Sequence, residues 1–331
     1  MGDMKYNTLG GTDLRVSRLG FGCGSIGGLL VRGEYPKMRE ALARALELGV
    51  NYFDTAPLYG NGQSEVNLGA VLRELRAEAL IGTKVRLAGK DVGRIGEAIT
   101  ESVEGSLRRL GRRDIDLIQV HNRIGFTWKP ERDPDRIGLP DLGTATETFE
   151  ALQRQGKVRF WGITAMGETD ALRAAVAAGR FHSIQVPYNL LNPTAGTIVG
   201  RGFPFQDYGQ IMEPASQKGM GVIAIRILAG GALSGAPERH PVASTWVNPI
   251  ASEERYGDDV ARARRFSFLV EEGIVNNLVE AAVRFAISNV NVSTALLGIS
   301  SLEQLEEAVK YVERGPLPGE ILARIQAQKL N

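Results

Sequence analysis

Eight short apolar runs alternate with helix-forming stretches along a chain of 331 residues, and that alternation predicts an α/β protein folded as a (β/α)8 TIM barrel. Two further observations favour this fold. No linker or low-complexity tract interrupts the series, so residues 1–331 read as a single domain, and three successive strand candidates end in an ionisable residue. In a parallel barrel those ends share one face.

The first strand candidate is Leu19–Gly22, followed by a helical pattern from Met38 to Leu48 that Gly49 closes. Asn51, Tyr52 and Phe53 then run into Asp54. Ser64, ahead of Asn67, Leu68, Val71 and Leu72, is the expected N-cap of the second helix. Leu80 and Ile81 lead to Thr83, Lys84 and Val85 as the third strand. The third helix continues over Thr100–Leu110 and stops at Gly111, before the fourth strand, Ile115–Val120. A helix over Thr144–Leu152 stops near Gly156. The remaining strands are Val158–Ile163, Ser183–Val186, Gly221–Ile225 and Thr294–Leu297, with a final helix opening at Ser300 or Ser301.

Three stretches exceed what barrel connections need: Asn122–Leu142 after strand four, Asn189–Gln210 after strand six, and Gly230 to about Glu272 after strand seven. Long loops at strand C-termini are candidate substrate walls or cofactor lids. The competing fold, an open doubly wound sheet, needs a glycine-rich turn that opens the first helix directly after a strand. Here the glycines at 20, 22, 24, 27 and 28 are followed by Leu29, Leu30 and Val31, then Gly33 and Pro36.

The 39 Lys and Arg residues against 38 Asp and Glu leave a formal charge of +1 and no basic tract, which argues against a nucleic-acid partner. Cys23, the one cysteine, has no internal disulfide partner, and with three histidines it leaves little material for a metal site. No stretch resembles a signal peptide or a membrane span, so a cytoplasmic protein that works away from the membrane is expected. Oligomeric state is not legible.

Asp54, Lys84 and His121 stand at the ends of strands two, three and four, and Tyr59 lies five residues into the loop after Asp54. These four groups are expected to converge at the barrel mouth. A carbonyl that accepts hydride develops negative charge on oxygen and needs a proton or hydrogen bond there. Tyr59 suits that role if Lys84 lowers its pKa of about 10, with Asp54 holding Lys84 and neutral His121 orienting the oxygen. A small-molecule carbonyl or alcohol is the implied partner. Lys84 also suits a second reading, as the base or Schiff-base amine of a barrel isomerase or aldolase. No G-x-S-x-G elbow supports hydrolysis, and Cys23 has no sign of thiolate activation.

The segments GVNYFDTAPLYG at 49–60, IGTK at 81–84 and DLIQVH at 116–121 resemble the aldo-keto reductase family, and the resemblance covers essentially the whole chain. It implies catalytic roles for Asp54, Tyr59, Lys84 and His121, and an extended nicotinamide cofactor across the barrel mouth. It also implies a cofactor set of Gly22, Asp54, Thr164, Gln185, Arg226, Leu228, Gly231, Gly298, Ser300, Gln304 and Glu307. Departures from the family pattern are Ala165 in place of the usual asparagine and Ile225-Arg226-Ile227-Leu228 in place of Y-S-P-L. Gly298 and Gln304 stand where lysine and arginine are common. NADP is the expected cofactor, with NAD the alternative. Phe126 and Trp128 are the expected apolar wall of the substrate pocket. The family also contains potassium-channel accessory subunits, so a cofactor-binding partner subunit is the non-enzymatic alternative.

Overall fold

The structure, a computed structural model, describes residues 4–328. Strands β1 (Tyr6–Thr8) and β2 (Arg15–Ser17) form an antiparallel hairpin ahead of the barrel. The barrel comprises β3 (Leu19–Gly22), β4 (Tyr52–Asp54), β5 (Leu80–Val85), β6 (Ile115–Val120), β9 (Val158–Thr164), β10 (Ser183–Pro187), β11 (Gly221–Ile225) and β12 (Val292–Gly298). They close in the order β10-β11-β12-β3-β4-β5-β6-β9, with every pair parallel. The expected eight strands are therefore all present, within two residues at each end.

The hairpin was not expected from the sequence, because each of its strands is only three residues long. Its position has a packing cause. Leu9, Leu14 and Val16 are buried against Tyr52, Leu117 and Ile223, and Gly11 N–H bonds the Gly219 carbonyl at 2.7 Å, at the start of β11. The turn thus covers the N-terminal end of the barrel with apolar side chains, leaving the opposite end for polar groups. The main apolar core lies between the strands and the surrounding helices.

The helices begin earlier than their periodicity suggests. The second runs Gln63–Leu75 from Gly62, whose φ of 90° is the left-handed turn that starts it. Ser64 is therefore not the cap: it is buried inside the helix, donating to the Cys23 carbonyl at 2.8 Å and bonding Thr55 Oγ1 at 2.8 Å. The third helix starts at Ile95 and the fourth at Leu139, with Pro140 in its first turn, where a missing N–H costs no hydrogen bond. Ser301 does cap its helix, Leu302–Glu313, accepting from Gln304 N–H. That helix is not the last, since Gly319–Ala327 follows it.

The long insertions carry structure of their own. The loop after β6 holds two short strands, β7 (Arg123–Gly125) and β8 (Arg136–Gly138), paired in parallel. The loop after β11 contains the helices Tyr256–Ala263 and Phe268–Glu271. Among the described residues no helix is long and apolar enough to cross a membrane, and no cluster of three His, Cys, Asp or Glu side chains is placed to hold a metal ion.

Candidate active site

Period-two alternation along β4 sends Tyr52 and Asp54 to the same face. Gly82 on β5 makes room for them, because a Cβ there would lie 2.3 Å from the Tyr52 hydroxyl. Register sets Asp54 opposite Gly82, and Lys84 follows two residues later on the same side. The Lys84 ammonium, 1% exposed, ion-pairs with Asp54 Oδ1 and donates to the Thr55 carbonyl at 2.8 Å. The second Asp54 oxygen accepts from Gln185 Nε2 and from the Tyr52 hydroxyl at 3.3 Å. This buried carboxylate therefore has an opposite charge and two neutral donors, as a buried charge requires.

The structure brings Tyr59 and His121 to the same pair. Lys84 Nζ lies 5.0 Å from the centroid of the Tyr59 ring, and the His121 ring meets Tyr59 edge-on at 6.0 Å and 89°. The first loop lies against that phenol at Gly24, where the ring is 3.4 Å from the position a Cβ would take. Burial pushes the Tyr59 hydroxyl above its ordinary value of 10, and the Lys84 charge offsets this only in part. The sequence expectation of a lowered tyrosine pKa is thereby corrected: the lysine pulls in the expected direction, but desolvation outweighs it. Burial opposes the Lys84 charge, yet Asp54 and Tyr59 together hold the ammonium above its ordinary range. Burial, with the Lys84 and Arg86 charges, pushes His121 down to about 3, so the ring is neutral near pH 7.

Other expected residues divide into those placed toward the mouth and those otherwise engaged. The Thr164 hydroxyl, at the end of β9, is buried with no partner among the described residues. Gln185 instead directs its amide nitrogen to Asp54, an interaction period-two spacing alone does not reveal because the two residues are 131 positions apart. Gly22 has a structural reason: a Cβ would fall 2.8 Å from the Leu297 carbonyl on neighbouring β12. The Ser300 hydroxyl donates to the Gly27 carbonyl at 2.7 Å, and its N–H bonds Gln304 Oε1 at 3.1 Å. Both donors of Ser300 are thus internally satisfied. Gly298 and Glu307 are exposed at the same end.

Arg226, just after β11, donates to the Asn248 carbonyl at 3.1 Å. Leu228 is half-buried and its carbonyl accepts from Gly231 N–H at 2.8 Å, in a turn where Gly230 and Gly231 have φ of 69° and 112°. Arg239, which the sequence did not single out, ties this turn down by donating to the carbonyls of Gly230 and Ser244, both at 2.6 Å. Phe126 is exposed in the loop after β6, whereas Trp128 is half-buried with its indole N–H buried and without a partner among the described residues.

A model of the aldo/keto reductase family matches residues 18–329. The chain belongs to the aldo/keto reductase family. It is an enzyme of that family by this match and by its likeness to solved structures. The holo form of aldo-keto reductase AKR11C1 from Bacillus halodurans is 28% identical, with a TM-score of 0.70 over 99% of this chain and 96% of that one. Aldo-keto reductase YhdN from Bacillus subtilis is 36% identical over 196 residues, a match spanning only about half of each protein, 56% of this chain and 54% of that one. A putative voltage-gated potassium channel subunit beta from Schizosaccharomyces pombe is 28% identical over 345 residues, 98% of this chain and 92% of that protein. A nicotinamide cofactor follows from membership, and the site fits one at the end of β9, where the buried, unpartnered Thr164 hydroxyl offers an amide partner.

Proposed function

We propose that this single-domain barrel is an NAD(P)H-dependent reductase of an aldehyde, ketone or sugar-like carbonyl, with Tyr59 as general acid. The observation that carries the reading is the buried Lys84–Asp54 pair beside a Tyr59 held protonated and a neutral His121. When bound, the cofactor supplies the hydride. Tyr59 gives its phenolic proton to the carbonyl oxygen, and the ammonium of Lys84 stabilises the phenolate that remains. Asp54 fixes that ammonium in place. His121 Nδ1 is buried without a partner, so the tautomer with its proton on Nε2 avoids an orphaned buried N–H and leaves Nε2 as a donor for the substrate oxygen. Lys84 as a Schiff-base amine fits less well, because Asp54 keeps it protonated and a cation is no nucleophile.

A fall in absorbance at 340 nm across a panel of aldehydes, ketones and sugars tests the reading. Consumption of NADPH or NADH by any of them supports it. No consumption, together with borohydride trapping of a carbonyl on Lys84, overturns it. The similarity to a channel subunit beta favours one further property, association with a partner protein, which light scattering of the purified chain with and without a candidate partner addresses.

The pH profile gives a second prediction. Because Tyr59 titrates above 10 and His121 near 3, kcat/KM for reduction should show no limb from either group between about pH 5 and 9, falling only where the phenol ionises. A bell-shaped profile with a limb near pH 6.5 in a His121-dependent manner would assign that ring a titrating role instead.

NADP is the proposed cofactor, with Ser300, Gln304 and Glu307 at its adenosine end, where Gly298 and Gln304 lack the lysine and arginine common in the family. Discrimination between NADPH and NADH should therefore be modest. Dissociation constants from fluorescence quenching should differ by less than about a thousandfold, roughly 4 kcal/mol. A larger preference would reveal a phosphate clamp elsewhere.

A further inference from the structure

His121 carries the proposed hydrogen bond to the substrate oxygen, yet the inner edge of its ring is not tied to anything. Nδ1 is buried and has no partner among the described residues. In a histidine of this kind a hydrogen bond at the second nitrogen ordinarily fixes both the tautomer and the direction of the ring. Here the direction has to come from the edge contact with Tyr59 and from the backbone on either side of the residue. The preceding side is an ordinary ladder, since β5 and β6 pair in register as far as Val85 and Val120, and His121 N–H donates to the Val85 carbonyl at 2.8 Å. The following side is not.

Past those residues the strand pairing stops, and the next bonds between the two segments are made by a side chain. Asn122 Oδ1 accepts from Leu87 N–H at 2.9 Å, while Nδ2 donates to the Leu87 carbonyl at 2.8 Å and to the Asp135 carbonyl at 3.2 Å. An amide presents donor and acceptor side by side, as a peptide does, so this side chain stands in for one more pair of ladder bonds. Asn122 is fully buried and Leu87 is 1% exposed, so water does not replace bonds lost there. The Arg86–Asp135 ion pair spans the same loops but is partly exposed on both sides, where such pairs contribute little. The amide is therefore the firm tie. It joins the residue after His121 to the loop that follows Lys84 and to the residue before β8, where the Asp135 carbonyl also accepts from Arg123 N–H at 2.9 Å.

We propose that Asn122 is a positioning residue for the reaction: by carrying the β5–β6 ladder past the barrel rim, its side-chain amide fixes how the His121 ring faces Tyr59 and the substrate oxygen. This rests on the reductase reading above and adds to it the device that holds an otherwise unbonded ring. Without the amide, the end of β6 is tied on one side of His121 only. A displacement of about 1 Å at such a group costs on the order of a hundredfold in rate.

Asn122→Ala tests this with benzaldehyde and NADPH. Asn122→Asp, which keeps the shape and the bond from Leu87 N–H but loses the donor, is the second variant if the first does not fold. At about pH 8, where the introduced carboxyl is ionised, either change should slow single-turnover hydride transfer by about tenfold to a hundredfold, with the cofactor dissociation constant within about twofold of wild type. A loss confined to KM for the aldehyde, with kcat unchanged, overturns the proposal, because the clamp then shapes the substrate wall. A cycle with His121→Phe separates positioning from general support. In that background the Asn122 change should cost less than about threefold in rate, since the ring it positions is gone, while lowering the denaturation midpoint as much as it does in wild type. An equal rate loss in both backgrounds overturns the proposal. Nuclear magnetic resonance of isotope-labelled histidine gives a readout that needs no turnover, with His182 and His240 as internal controls. Wild-type His121 should show one neutral tautomer, protonated on Nε2, and no titration between about pH 5 and 8. In the Asn122 variants its ring signals should shift toward averaged tautomers, and signals identical to wild type overturn the proposal. If wild type reduces neither benzaldehyde nor any other member of the panel, it is the reductase reading that fails, and the resonance spectra alone decide whether Asn122 holds the ring.

Discussion

Tyr59→Phe should lose about 10² to 10⁴ in the rate of carbonyl reduction, roughly 3 to 5 kcal/mol of barrier, while the barrel and cofactor affinity stay intact. Only an oxygen atom is removed, and the ring keeps its edge contact with His121 and its place against Gly24. The structure strengthens this expectation in one respect. Because burial holds Tyr59 above its ordinary pKa, nearly all of the enzyme carries the proton near neutrality, so its removal affects the whole population. Single-turnover hydride transfer by stopped flow, with cofactor saturating, is the measurement, since slow product release masks such losses in steady-state turnover. A folded, cofactor-loaded variant that transfers hydride within about threefold of wild type would remove Tyr59 from the mechanism.

Lys84→Met should reduce hydride transfer by a comparable factor, for a different reason, and should also destabilise the fold. The phenol remains, but the phenolate formed by proton transfer loses the cation 5.0 Å from its ring. Asp54 keeps only Gln185 and Tyr52 as donors and becomes a buried charge without a counter-charge, a change that costs about 3 to 5 kcal/mol. Denaturant unfolding of Lys84→Met and of the double variant Lys84→Met/Asp54→Asn separates the two effects. The double variant should recover much of the stability, because it removes the stranded charge, yet none of the rate, because the ammonium is still absent. Recovery of rate along with stability would show that Lys84 acts only by holding the fold together.

The strands were legible because each is a short apolar run bounded by turn residues, and β6 and β11 fall where the pattern puts them. Helix starts were not. Ile95 and Leu139 open helices without the polar cap that sequence reading relies on, since Arg94 and Gly138 stand at the cap positions and neither side chain accepts a bond there; at the second, Asp141 inside the helix accepts from Gly138 N–H instead. The hairpin at Tyr6–Ser17 was likewise too short to announce itself and is fixed by what it covers.

The sequence by itself determined that Asp54, Lys84 and His121 end three neighbouring strands, and a parallel barrel leaves such residues no choice but to meet, with Tyr59 close by. It also determined that Gly298 and Gln304 carry no basic side chain. Tertiary structure alone decided the protonation states and the partners. Whether Tyr59 titrates above or below 10 depends on how deeply the fold buries it, and burial outweighs the charge of the one neighbour the motif reveals. The same holds for Gln185 on Asp54: residues distant in sequence become partners only when the barrel closes, because local patterns record which face a side chain takes and carry nothing of what stands opposite it.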